Sequence, residues 1–342
     1  MKKLILLLVI VAFACNISNA TQWSISNSAL NPGQFNSVPN ALASPSVLNG
    51  DTFLIHPTGI SYGTFTLTKS ITMIGGGFNT QKPGTNYSNL DRIIISSPSA
   101  ASGSKFYGLR IFNGIIASGS PGILNNLIIE DCYLENNINI AFNIFPVNMV
   151  IRNCIISTSQ YSIIFGQGGV GQVASSILVS NCLFNTGFYA NRAALVVKNC
   201  TFLQSSFLDI QFATFENCII RTLAVTDISN STFNNCISGV STLPTAGNSG
   251  ANNLAPGAVT FVNVPSNTLN LTYNYNLTPA SLGYTGGNDG QQLGMHGGSS
   301  TFSMTGEPLN SAITRSFNIT NSVVPVNGTL NINATVTKPN NQ

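Results

Sequence analysis

Asp209 and Asp227 are separated by the same interval as Cys218 and Cys236, and theirs is the spacing in this sequence that most suggests chemistry. If the chain repeats with that period, the two carboxylates stack about 5 Å apart on neighbouring strands. Such a pair can act as acid and base in glycoside hydrolysis, or hold a cation such as Ca2+. Asn191 lies one period earlier, and Arg192 and Arg221 bring positive charge close by in sequence. The plainer reading is that both aspartates face solvent at turns and cap backbone N–H groups. Like charges held that close raise one pKa, a cost that sets capping ahead of catalysis or ion binding. The two histidines add nothing to a site: His56 lies on an apparent strand and His296 in a Gly-rich run.

A second chemical pattern is a row of cysteines. Cys132, Cys154, Cys182, Cys200, Cys218 and Cys236 each follow an Asp or Asn: Asp131, Asn153, Asn181, Asn199, Asn217 and Asn235. The last four phrases recur at a constant interval of 18 residues. The first two intervals are 22 and 28. Asn113-Gly114, one short interval before Asp131, makes a degenerate seventh copy. An even cysteine count in an exported chain suggests disulfides, and stacked thiols could also hold a metal. The repeat offers a different account.

Aligned on the Asn, apolar residues recur at every second position. Two before it stand Ile129, Ile151, Val179, Val197, Phe215 and Phe233; three after it stand Leu134, Ile156, Phe184, Phe202 and Ile220. That period belongs to strands with one face in a core. Parallel strands stacked one coil per repeat put every column in register with itself, so the expected fold is an all-β parallel β-helix. Asn then makes a left-handed bend, with Asn113, Asp131, Asn153, Asn181, Asn199, Asn217 and Asn235 forming a ladder of side-chain amides. The six thiols turn inward and fill a corner, where parallel side chains do not readily reach disulfide geometry; they are expected to be reduced and buried. Glu130 with Arg152, and Lys198 with Glu216, are opposite charges on neighbouring coils. Outward columns that include Ile128, Val150, Leu178, Val196, Tyr133, Ile155, Leu183 and Ile219 are apolar enough to require a cover from the N-terminal segment, the tail or another protein.

The rest of the chain frames this coil. Lys2-Lys3, the apolar run Leu4–Ala14 and Ser18-Asn19-Ala20 read as a signal peptide over residues 1–20, so the expected product is secreted or held at the cell surface. No later stretch approaches the roughly 18 apolar residues of a membrane span. Only 7% of residues are charged, against about 25% in ordinary domains. Without Lys2 and Lys3 the chain carries 11 basic and 10 acidic residues, a balance that argues against nucleic acid as a partner. Residues 21–240 are expected to form the coil with its N-terminal cap. Residues 241–342 read as a C-terminal cap ending in a hairpin, with Val324-Pro325-Val326, the turn Asn327-Gly328 and a strand over 329–336. Tyr161–Ser176, rich in glycine, is a projecting insertion without an acidic, basic or thiol side chain.

The repeat, the opening stretch Asn49–Gly77 and the run Leu282–Val336 resemble the right-handed parallel β-helix proteins of the pectate-lyase-like superfamily, in particular exported bacterial members of Bacteroidota type. The resemblance implies the fold far more than an activity, because this fold carries lyases, hydrolases and adhesins alike. Its lyases need clustered acidic Ca2+ ligands and a Lys or Arg base, and the sparse carboxylates here are a poor match. The expected function is an exported, non-enzymatic β-helix with a structural role or a glycan or cell-surface protein as partner, without a cofactor. A polysaccharide-degrading enzyme centred on Asp209 and Asp227 is the alternative.

Overall fold

The computed structural model describes residues 20–78, 86–165, 176–190, 194–204, 210–221, 227–299, 302–308, 313–319 and 332–337, and nearly all of its regular structure is β. Short parallel strands stack into three long sheets of eleven, eight and six strands. One coil contributes Ile128–Glu130, Tyr133–Leu134 and Ile138–Ile140; the next repeats them as Val150–Arg152, Ile155–Ile156 and Ile163–Phe165. A shorter fourth side precedes the bend back into the first sheet, where Gly122–Asn125 pairs with Ile144–Val147 and Ile210–Gln211 with Ile228–Ser229. The architecture is a parallel β-solenoid.

The bends explain why these residues coil. Asp131, Asn153, Asn181, Asn199, Asn217 and Asn235 have φ between 49° and 55°, the left-handed region that Asn and Asp enter most cheaply after glycine. The next residue, always Cys, turns inward and is fully buried. All six thiols are free. Each Sγ lies 3.1–3.3 Å from the carbonyl oxygen two residues before it, a weak S–H bond that closes the corner. Burial pushes the thiols of Cys154, Cys200 and Cys236 well up. Inside the coil, equivalent side chains pack on one another: Phe215 stacks on Phe233 with centroids 4.9 Å apart, and Phe184 on Phe202 at 5.0 Å.

The N-terminal end is closed by its own segment. Gln22–Ile25 pairs with Thr52–Ile55, and the helix Val38–Ala43 buries Val38, Ala41 and Leu42 beside the edge strand Thr64–Thr66. Covering that edge removes a row of unpaired backbone groups from reach of other chains. Asp51, 2% exposed, ties this cap together by accepting N–H bonds from Thr21, Leu48 and the Trp23 indole. Burial works to raise its pKa, but those donors and the Lys69 charge outweigh it and leave it lowered.

Two sequence expectations fall elsewhere. Strand pairing sets Glu130 opposite Tyr107, so Gly108 (φ 62°) stacks on Asp131, and Asn113 stands at the following bend. There its amide donates to the Asp91 carboxylate. The coil from Gly108 to Asp131 is longer than the regular repeat. A glycine makes its bend without needing Asn, so counting back by the regular period found the wrong corner. The C-terminal hairpin pairs Ile313–Ile319 with Ile332–Thr337. The Val324–Val326 strand and the Asn327-Gly328 turn lie outside the described residues.

The buried corner makes one expectation direct. In the native protein none of the six thiols should react with an aromatic disulfide reagent within minutes, and all six should react once guanidinium unfolds the chain. Rapid native labelling would mean that the corner is open.

Candidate functional site

Of the residues singled out in sequence, those that the structure describes stand apart. Asp209, Asn191 and Arg192 lie outside the described residues. Asp227 is exposed, and its carbonyl oxygen accepts the Ile210 N–H at 3.0 Å. Ile210 pairs with Ile228 and Gln211 with Ser229, so the register of the regular repeat holds here. Arg221 is engaged elsewhere: it donates to the Ser266 carbonyl at 3.1 Å, and its guanidinium sits 5.2 Å from the centre of the Phe261 ring. Burial lowers its pKa. His56 takes part in the cap through its backbone, donating to Ile25 and accepting from the Tyr62 hydroxyl.

The Asn corner proves to be a docking rail for the C-terminal segment. Asn235 donates to the Gly286 carbonyl, and Asn217 exchanges two bonds with Asn288. Asn181 donates to the carbonyls of both Met295 (3.1 Å) and Gly297 (2.7 Å). The segment therefore runs back along the solenoid, opposite to the order of the coils. Farther along, Phe78 N–H reaches the Thr305 carbonyl, and Pro308 fills the space where a side chain at Gly108 would stand. Beneath it the outward residues Tyr133, Ile155, Leu183, Ile219 and Ile237 form a second core with Val259, Phe261, Tyr275, Leu277, Leu293, Met295 and Phe302. The tail is thus the cover that this apolar column requires, each large side chain contributing about 1.5–3 kcal/mol by leaving water. At another bend, neighbouring coils are joined by an amide–amide bond from Asn148 to Asn126 at 3.3 Å.

Most carboxylates of the coil are held in pairs or by donors. Glu130 takes a two-pronged contact from Arg152, and Lys198 meets Glu216 at 2.7 Å. Asp91 is held by Thr64 and Asn113, whose hydrogen bonds lower its pKa. Glu135 pairs with Arg110, whose guanidinium lies 4.4 Å from the Tyr87 ring and 4.9 Å from that of Phe112.

That last pair stands at the end of an open cleft of about 600 Å3, set along the bend after the second sheet. Its walls are neutral and polar: Asn136, Ser157, Thr158, Ser159, Gln160 and Asn185, with Glu135 as the single carboxylate. Register explains the grouping, since Ile156 pairs with Leu134 and with Phe184, which sets Glu135, Ser157 and Asn185 in one outward column. Asn185 donates to the Thr158 carbonyl at 3.0 Å, and the Thr158 hydroxyl accepts the Gln160 N–H, which fixes the loop. The cleft offers amides, hydroxyls and one carboxylate already paired with a guanidinium. It lacks the second carboxylate that acid–base cleavage of a glycosidic bond requires. Glu135, Ser157 and Asn185 each stand four residues after the Asp or Asn of their repeat, one beyond the apolar column at Leu134, Ile156 and Phe184. The column therefore follows from the repeat, and the loop Thr158–Gln160 makes it a cleft.

Fold and flank together define the class, a parallel β-solenoid strapped along one side by its own C-terminal segment. No protein-family model and no curated protein matches the chain. Among the described residues no three His, Cys, Asp or Glu side chains group where a metal ion could be held, and no helix is long and apolar enough to cross a membrane.

Two measurements test the strap. Asn181→Ala removes the donor to two buried carbonyls and should cost about 1–3 kcal/mol, read as faster proteolysis near Met295 with the coil fragment surviving. His296 is half-buried beside Phe302, and desolvation lowers its pKa to about 4 from 6.5. A lowered histidine favours the folded state while neutral, so its contribution is complete above pH 6.5 and is lost as pH falls towards 4. His296→Phe should flatten the loss of thermal stability across that window; an unchanged slope would place the titration elsewhere.

Proposed function

We propose that this chain is an exported β-helix protein that binds glycan on its flank and performs no hydrolysis or elimination, with residues 1–20 acting as a cleavable export signal. Its coil is taken to be kin to the right-handed β-helices of the pectate-lyase-like superfamily, on the strength of the repeat and the opening rungs. The observation that carries the binding reading is the cleft bounded by Glu135, Ser157, Gln160 and Asn185. Sugars present hydroxyls that both donate and accept, and a wall of amides and hydroxyls answers both. Pairing with Arg110 leaves Glu135 as a fixed acceptor, poorly placed to shuttle a proton. Low charge over the whole chain fits a neutral polysaccharide better than a polyanion.

The test uses the mature chain in affinity electrophoresis through gels holding xylan, mixed-linkage glucan or polygalacturonate. Retardation is expected in a neutral gel. It should weaken severalfold in Gln160→Ala combined with Asn185→Ala, since each lost hydrogen bond is worth about 0.5–1.5 kcal/mol. Release of reducing or unsaturated sugar that disappears in Asp209→Asn or Asp227→Asn would replace this reading with a polysaccharide-degrading one.

A further inference from the structure

A second bend of the solenoid, on the fourth side, carries a residue that bend chemistry does not explain. Its positions are Asn126, Asn148, Ser176, Ala194, Phe212 and Asn230, all with φ between 51° and 68°. Asn, Ser and Ala are small, and Asn reaches the left-handed region at low cost. Phe212 is large, holds φ at 57°, and is 56% exposed. Neither the backbone nor the core gains from a phenyl group there. A bulky residue kept in this conformation and turned to water is the kind of strain that accumulates at functional positions.

Its surroundings say what it would take. Phe212 N–H donates to the Ser229 carbonyl at 3.3 Å, so it continues the strand pair of Gln211 and Ser229, with Asp227 and Asn230 flanking that pair at its two ends. Asp227 and Asn230 are exposed, and Gln211 and Ser229 are half-buried. A protein partner docking through an apolar contact needs a contiguous patch of a few hundred Å2; here one exposed ring stands at the end of a short strand pair whose neighbouring residues carry amides, a hydroxyl and a carboxylate. A pyranose matches that layout, with an apolar C–H face to lie on the ring and equatorial hydroxyls to meet those polar groups. We infer that Phe212, with Gln211, Ser229 and Asp227, is a sugar-stacking subsite on the fourth side of the coil, separate from the cleft at Glu135.

The subsite makes opposite demands on stability and binding. Phe212→Asn installs the residue found at 126, 148 and 230, so it should raise the thermal midpoint by about 2–4 °C. The same change should weaken retardation by neutral xylan or glucan by up to about tenfold. Phe212→Tyr should keep the wild-type affinity, and Phe212→Leu should lose it. If Phe212→Asn binds as wild type while the Gln160/Asn185 double variant does not, the subsite is refuted and the cleft stands. If Phe212→Asn alone loses binding, the subsite stands and the cleft falls. Wild-type protein retained by none of the gels would sink both. Loss of self-association in Phe212→Asn, with sugar affinity unchanged, would make the ring a protein contact and overturn the proposal.

Discussion

Everything in this molecule depends on a backbone held left-handed at the same corner of successive coils. A strand slipped by one residue would turn its apolar face outward, so register must be set anew in each coil. Asp131, Asn153, Asn181, Asn199, Asn217 and Asn235 do this with φ between 49° and 55°, and the thiol after each fills the inside of the turn. Stacking follows from that repetition: Phe215 falls on Phe233 and Phe184 on Phe202 because their bends coincide. Where a coil is longer, as from Gly108 to Asp131, the extra residues are absorbed on other sides and the corner keeps its place.

The same corner solves a second problem. A solenoid this narrow cannot bury every apolar residue inside, and Tyr133, Ile155, Leu183, Ile219 and Ile237 point outward. The chain covers them with its own C-terminal segment, and the Asn amides supply the polar contacts that orient it. A side chain chosen for its φ angle thus also fixes a strap that runs back along the coils. The open N-terminal end is managed differently, by a short helix and the buried Asp51.

With so few charges, most of those present in the coil are committed to neighbours. Arg152 holds Glu130, Lys198 holds Glu216, and Arg110 holds Glu135 between aromatic rings. On the proposed reading, recognition falls mainly to the amides and hydroxyls of the cleft and to the exposed ring of Phe212. A surface of that kind recognises by shape and hydrogen bonding. The ligand we propose for it is a neutral glycan.

Period and residue type were enough to read the parallel coil, the left-handed Asn bends, the inward cysteines, the Glu130–Arg152 and Lys198–Glu216 pairs, and the need for a cover over the outward column. These are local facts repeated in register, and repetition makes them visible in one dimension. Asn113 was misplaced because a longer coil ended by glycine leaves no Asn to count from. The column Glu135, Ser157 and Asn185 was within reach of the same alignment, each standing four after its bend residue, but that it lines an open cleft depends on the loop and the neighbouring segments around it. The strap could be anticipated as a cover, but its direction and its bonds to Asn181 and Asn217 depend on contacts between segments far apart in the chain, which no local pattern encodes. Sequence by itself determined the coil, since each repeat carries its own bend and core residues. Tertiary structure alone decided which surfaces stay open, because that depends on where a non-repeating tail comes to rest.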